Sequence, residues 1–479
     1  MALTLLAALL APDSLMPLGS LTPGNAAQVK QEQTPTHRTA AAPETRLPAA
    51  ARPGIPIAVA DSRAAGRKSR LPRRQARPGP PADGARVTAT FLRWTFLRAV
   101  FHRGYVLASG LYFVVAAHLS AAQLVLLGAV MALTLLLSDI PAGVWSDAFS
   151  RKWPLVVGHG FLAAGMVLTG LVTTFGWLLV TQVLWGLGWA FSSGADVAWL
   201  TDELGRPGRI DRTLTARARW ELAGGATGMI AFGVLGWAAG LGTAVVVSGA
   251  GMALLGVFVA ARFGEDNFTP VRQHRWRASL SILRRGLTLA RRDHAVLVML
   301  AATMLINGAC VVTWLFPRQL VNLGFPHELV LWYTALCVLS FAAGVVALRI
   351  VEARIDGAGA ARRSYVLACF VGALGLIVLA CAPDALVGGA GVLLARGISV
   401  NVTQAVSVIW VNRRTTSDVR TTLHSFLSHA ESTGEIIGGF AFAALARAGG
   451  IAVTLLTSAA LIAATGALVA GSRPGRPPG

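Results

Sequence analysis

From Phe91 onward the chain alternates between apolar runs of about twenty residues and short polar connections. Twelve runs stand out, at roughly 98–117, 121–142, 153–173, 176–199, 217–237, 241–262, 293–316, 327–349, 364–382, 386–410, 421–445 and 450–471. Each is long enough to cross ~30 Å of hydrocarbon at 1.5 Å per residue. Backbone groups in lipid must bond within their own segment, so the runs are expected to be helices. The longest connection, from Phe263 to Asp293, follows the sixth run and divides the twelve into six and six. The expected fold class is therefore all-α integral membrane, with twelve transmembrane helices in two six-helix bundles. The expected organisation is a tail over 1–92, a first bundle over 93–262, a central loop over 263–292, a second bundle over 293–471 and a short tail over 472–479.

The connections alternate in charge. One set carries Arg151 and Lys152, then Arg206, Arg209, Arg212, Arg217 and Arg219, the central loop, Arg349, Arg354, Arg362 and Arg363, and finally Arg413, Arg414 and Arg420. In the other set the only basic members are Arg318 and Arg447. By the positive-inside rule the first set is cytoplasmic, and both termini with it, as in a multi-pass plasma-membrane protein. Within the central loop Trp276, Leu280, Leu283 and Leu287 share one helical face among arginines, as in a basic helix lying on anionic headgroups. The stretch from Gln31 to Arg86 is rich in Pro, Ala and Arg without apolar periodicity and reads as disordered.

Composition agrees with this pattern. The chain of 479 residues is 54% hydrophobic and 13% charged, with mean hydropathy +0.60; a soluble protein carries roughly 25% charged residues. The net charge of +20 lies in clusters between apolar runs, which argues for membrane topology and against nucleic acid as a partner. The four cysteines form no C-x-x-C pair, and no cluster has metal-ligand spacing. No catalytic constellation emerges, so no enzyme activity, metal or cofactor is expected. The expected partners are the lipid bilayer and a small-molecule substrate, with the chain monomeric.

The connection between the second and third runs holds Gly143, Asp147, Arg151 and Lys152 at spacings that resemble the loop signature of the major facilitator superfamily (MFS). Ala148 and Ser150 depart from it, standing where a basic residue and a glycine are usual. The run Asp139-Ile140-Pro141-Ala142-Gly143-Val144-Trp145-Ser146-Asp147, the run Trp185 to Asp196 continuing to Asp202-Glu203-Leu204-Gly205, and Trp410-Val411-Asn412-Arg413-Arg414 with Ser425-Phe426-Leu427-Ser428 are similar to segments of drug-efflux-type members. The resemblance covers 93–471 and implies two pseudo-symmetric bundles working by alternating access. It also implies an inner gate built from Asp139, Gly143, Asp147, Arg151, Lys152, Asp196 and Asp202. The arginine that such antiporters carry in the fourth span is absent, with Gln182 near its place.

Ionisable groups inside the spans are the other candidates, because a charge at bilayer centre costs at least ~2.5–3.5 kcal/mol and faces a cavity or a partner. Counted from the start of the eleventh span, Glu431 lies about 15 Å deep and Glu435 about 21 Å. Arg396 reaches a similar depth in the tenth span. Three readings stand for Arg396, Glu431 and Glu435: a static ion pair, a proton-coupling site, or contacts to a cationic substrate. Further cavity candidates are Tyr105, Tyr112, Gln182, Asn307, Trp314, Asn401, Gln404 and His429. The function expected from all this is proton-coupled efflux of small amphipathic or drug-like molecules, driven by the proton gradient. The alternatives are transport of a polar metabolite (sugar, organic acid or peptide-like compound) and a transport-inactive sensor or scaffold.

Overall fold

The computed structural model describes residues 81–270, 294–325, 328–355, 358–414 and 417–472. The tail up to residue 80, the basic helix expected in the central loop and the final residues lie outside the described residues. Within them the chain is a bundle of helices: α1 (Pro81–Val115), α2 (Ala121–Ala148), α3 (Lys152–Leu171), α4 (Phe175–Ser192), α5 (Ala195–Leu204), α6 (Pro207–Ala239) and α7 (Leu241–Arg262) before the central loop. After it come α8 (His294–Cys310), α9 (Phe316–Asn322), α10 (Leu329–Glu352), α11 (Ala358–Cys381), α12 (Ala385–Val392), α13 (Asn401–Arg414) and α14 (Ser417–Gly471). A 3₁₀ turn over Val311–Leu315 joins α8 to α9, and a π-helical stretch over Leu393–Val400 joins α12 to α13.

Among the described residues, ten helical stretches are long and apolar enough to cross a membrane. The last of them runs from Phe426 to Gly471 and is broken at Gly450, whose φ of 77° ends one helix and starts another. The first helix differs from expectation at its start. Residues 81–92 were expected to belong to the tail, but α1 begins at Pro81, with proline in the first turn where its missing N–H costs nothing. Phe91 and Trp94 are both 0% exposed, and they explain the extension. Phe91 lies 6.3 Å from the Trp199 ring and Trp94 lies 6.0 Å from Phe263, which itself stacks on Trp199 at 4.0 Å. Burial of rings of this size outweighs the polar composition on either side.

Helices meet most closely where glycine removes the side chain. A Cβ on Gly224 or Gly228 of α6 would stand 2.4 and 2.2 Å from the carbonyl oxygens of Phe96 and Val100 on α1. A Cβ on Gly434 or Gly438 of α14 would stand 2.1 and 2.2 Å from those of Met304 and Gly308 on α8. Both pairs are G-x-x-x-G, the spacing that puts two small residues on one helix face. The pattern recurs between α3 and α4 (Gly158 against Gly188) and between α11 and α12 (Gly375 against Gly391). Lipid gives helices no hydrophobic reason to associate, so such backbone contact supplies the attraction.

Gly438→Val is therefore expected to destabilise the protein by about 1–3 kcal/mol through overpacking. Gly160→Ala, where an added Cβ meets nothing within 4 Å, is expected to leave stability unchanged. Thermal unfolding of the two variants in detergent checks the contrast.

Candidate functional site: a cavity between the two halves of the chain

A cavity of about 520 Å³ lies between helices from before and after the central loop. Each wall comes from residues three or four apart on one helix face. From α1 it takes His102, Tyr105, Ser109 and Phe113; from α2, Leu124, Met131 and Leu135; from α4, Gln182, Trp185 and Trp189. The second half supplies Thr313, Trp314, Pro317, Tyr333, Arg396, Gln404 and Glu435. A larger groove of about 820 Å³ runs between α10 and α11. Its walls include Leu339, Val346, Ile350 and Leu367, all exposed on the outside of the bundle, so it is a lipid-facing surface.

The cavity sits where second-half helices are irregular. The 3₁₀ turn carries Thr313 and Trp314 to it, and the π-helical stretch carries Arg396. Wide turns leave carbonyls without regular partners, and the Asn401 side-chain amide donates to two of them, Arg396 O at 3.1 Å and Gly397 O at 2.8 Å. Asn401, a cavity candidate by sequence, thus acts as a brace for the backbone that presents Arg396. On the first-half wall, Trp185 is flanked by Tyr105 at 4.5 Å and His102 at 5.4 Å, and His102 also lies tilted against Trp189 at 5.2 Å.

Of the other candidates, Tyr105, Gln182, Trp314 and Gln404 line the cavity. Tyr112 instead donates from its hydroxyl to Val172 O at 3.2 Å, tying α1 to the end of α3. Asn307 donates to Thr303 O in its own helix at 2.8 Å and, with Glu431, borders a separate small void. His429 lies within electrostatic reach of Asp139, across the two halves. Arg396 and Glu435 share the cavity wall, yet among the described residues no ion pair within 4.0 Å joins Arg396 to Glu431 or Glu435.

Sequence reasoning passed over Arg98, His102, Arg103, Trp185, Trp189 and Tyr333 as site residues. Arg98 lies between the rings of Trp94 and Trp189, 5.3 and 4.9 Å from their centroids. The signal was present as the helical spacing of Arg98, His102, Tyr105 and Ser109 along one run.

The gate candidates gather at the end of the bundle that carries the arginine-rich connections. Arg151 pairs with Asp147 one turn before it and with Asp202 at 3.3 Å. Asp196, 4% exposed, pairs with Arg217 at 2.7 Å. The departure at Ser150 has a structural counterpart. Its hydroxyl donates to Glu265 at 2.8 Å and accepts from Trp153 N at 3.0 Å, while Glu265 also accepts from the backbone N–H groups of Arg151 and Lys152. A carboxylate on the free N–H groups that open α3 satisfies them and meets the positive end of the helix dipole. Gly143 has open space around it, and Lys152 lies 5.9 Å from the Trp153 ring. At the opposite end two hydrogen bonds join the halves: Trp237 Nε1 donates to the Glu328 carboxylate, and Arg318 donates to Leu119 O.

A multi-pass helical bundle with a polar and aromatic cavity between its sequence halves is the build of a membrane transporter of small solutes. The family model of the Major Facilitator Superfamily matches residues 89–439, and the chain belongs to that family. It is a secondary-active transporter of small solutes working by alternating access, in a family of transporters and not of enzymes. Among solved structures the fold is similar to the nucleoside transporter NupG (13% identity, 80% of this chain and 97% of that one, TM-score 0.62). It is also similar to a bacterial homolog of the human lysosomal transporter Spinster, inward-facing and unoccupied (14%, 82% and 96%, TM-score 0.59). A third is the peptide transporter POT in complex with sulfate (12%, 81% and 97%, TM-score 0.61). No curated protein matches the chain in sequence.

If Asp147 serves in an inner gate, removing its charge is expected to slow the cycle. Asp147→Asn weakens a charge-assisted contact to Arg151, and loss of about 1.4 kcal/mol or more corresponds to at least about tenfold slower turnover. Proteoliposome flux, beside an unchanged elution profile and expression level, is the check; normal turnover removes the gate role.

Proposed function

We propose that the protein moves a small polar metabolite across the plasma membrane, coupled to protons, by rocking two six-helix halves about the 520 Å³ cavity. The observation that carries this reading is the cavity lining: Gln182, Arg396, Gln404 and Glu435 bring polar and charged groups from both halves to one volume. Drug-like export, which the local resemblances suggested, asks for less of this. The similar solved structures also include transporters named for nucleosides and peptides, although at their identities they speak for fold alone.

Twelve crossings follow when the stretch broken at Gly450 counts as two and α1 is added to the other apolar stretches. The repeated glycine contacts, α1 with α6 and α8 with α14, relate the fifth crossing to the eleventh and the first to the seventh, as two similar halves require. The arginine-rich end is then cytoplasmic, with both termini there. In the state described, the hydrogen bonds Trp237 to Glu328 and Arg318 to Leu119 tie the other end shut; opening outward breaks both.

Glu435 is the proton carrier of this proposal. It lines the cavity, as Arg396 does, and is without an ion pair among the described residues, so its charge state responds to what fills the cavity. Glu435→Gln is expected to abolish accumulation driven by an imposed pH gradient in proteoliposomes while sparing exchange of solute across the membrane. Accumulation that persists in the variant removes the coupling role, and absence of flux for every solute in the wild type favours a sensor or scaffold.

A further inference from the structure

We infer that the transported solute is an organic anion with a flat ring, its carboxylate or phosphate held by Arg396 and its ring against the wall of Trp185 and Trp189. The inference deepens the transport reading above and rests on it. Among the described residues, Arg396 is the one cationic side chain that the second half gives to the cavity wall. The nearby cations add to its field. Arg103 lies within electrostatic reach of Arg396, with its guanidinium 5.7 Å from the Phe341 ring. Arg98 is held between two indoles one turn below His102.

The acids that face these arginines are already engaged. Asp196 and Glu221 are the acids within reach of Arg98, and Glu221 is within reach of Arg103. Both are partners of Arg217, at 2.7 and 3.9 Å. Among the described residues Glu435 is the acid on the cavity wall, with Glu431 within electrostatic reach of it. Counted together, Arg98, Arg103, Arg217 and Arg396 are matched in number by Asp196, Glu221, Glu435 and Glu431. What favours an entering anion is that Arg396 lines the cavity and, among the described residues, has no ion pair within 4.0 Å, in a region where an unpaired charge is costly.

The geometry also limits the anion's shape. A guanidinium presents a planar fork of donors that fits a carboxylate or phosphate in two parallel hydrogen bonds. The fork is pre-positioned, because Asn401 braces the Arg396 carbonyl and a Cβ on Gly397 would stand 3.0 Å from Ser340 O, holding the backbone against α10. Across the cavity, Trp185, Trp189 and His102 make an aromatic wall, and Trp314 faces in from the other half. Flat rings stack on such a wall and an apolar chain gains less from it.

The test is calorimetric titration of the full chain in nanodiscs with three ligands of matched ring: naphthoate, neutral naphthamide and cationic naphthylmethylammonium. The inference expects naphthoate to bind at least about tenfold more tightly than either relative. Arg396→Gln should lose about tenfold or more of that affinity, Arg396→Lys should lose part of it, and Glu435→Gln should strengthen it. Tighter binding of the cation or amide, binding of chloride or acetate as strong as naphthoate, or no binding by any of the three overturns the inference. The wild-type ranking decides the matter even where a variant fails to fold. Naphthoate binding without counterflow in proteoliposomes leaves the anion site standing and removes the transport reading instead. Counterflow of cations in preference to anions does the reverse.

Discussion

The cost of a charge away from water organises this protein. At the arginine-rich end charges are matched in close pairs: Arg151 has Asp147 and Asp202, Arg217 has Asp196 and Glu221, and Glu265 has the backbone of Arg151 and Lys152. Those pairs hold α2, α3, α5 and α6 to one another. In the cavity, Arg396 and Glu435 stand on the same wall without closing an ion pair. Matched charges at the rim build the structure, while on the proposed reading the charges in the middle that close no ion pair leave binding free energy for a solute or a proton.

Glycine contact complements this. Where α6 meets α1 and α14 meets α8, backbone lies on backbone, and each half is stiff at those seams. Between the halves one small-residue contact remains, Gly439 of α14 on Ala129 of α2, where an added Cβ would stand 3.1 Å from the Ala129 Cα, and the others are to side chains. Near the cavity a Cβ on Gly128 would stand 2.4 Å from the Trp314 indole nitrogen, and at the end away from the arginines two hydrogen bonds suffice. Side chains can turn aside and single hydrogen bonds can exchange with water, whereas a glycine seam has no second arrangement of similar energy. Alternating access needs that difference between seams that hold and contacts that part.

Much of the fold was legible in the chain because a membrane leaves few choices: length, apolarity and arginine-rich connections place the helices within a few residues. What escaped was local. The helical start at Pro81 rests on Phe91 and Trp94 finding Trp199 and Phe263, a tertiary contact that polar surroundings conceal. The breaks at Val311–Leu315 and Leu393–Val400 lie inside continuous apolar runs, so hydropathy passes over them; Pro317 is the only nearby mark. At the site, depth in a span identified Arg396 and Glu435, since rarity of charge is itself a signal. Depth cannot give direction around a helix, and so it grouped Tyr112 and Asn401 with Tyr105 and Gln404.

Arg396 and Glu435 share one more property, which bears on how the cavity works. Glu435 lies between Gly434 and Gly438, the two points where α14 touches the α8 backbone. Arg396 precedes Gly397, which touches Ser340 O of α10. Each charged side chain therefore grows from a backbone position fixed by its neighbours. Both positions belong to the second half, so rocking one half against the other leaves the distance between their backbones unchanged. What the motion changes is their surroundings: the aromatic wall of His102, Trp185 and Trp189, the field of Arg103, and the access of water. On the proposed reading, coupling acts through the environment of two fixed side chains, with the first half serving as the moving wall.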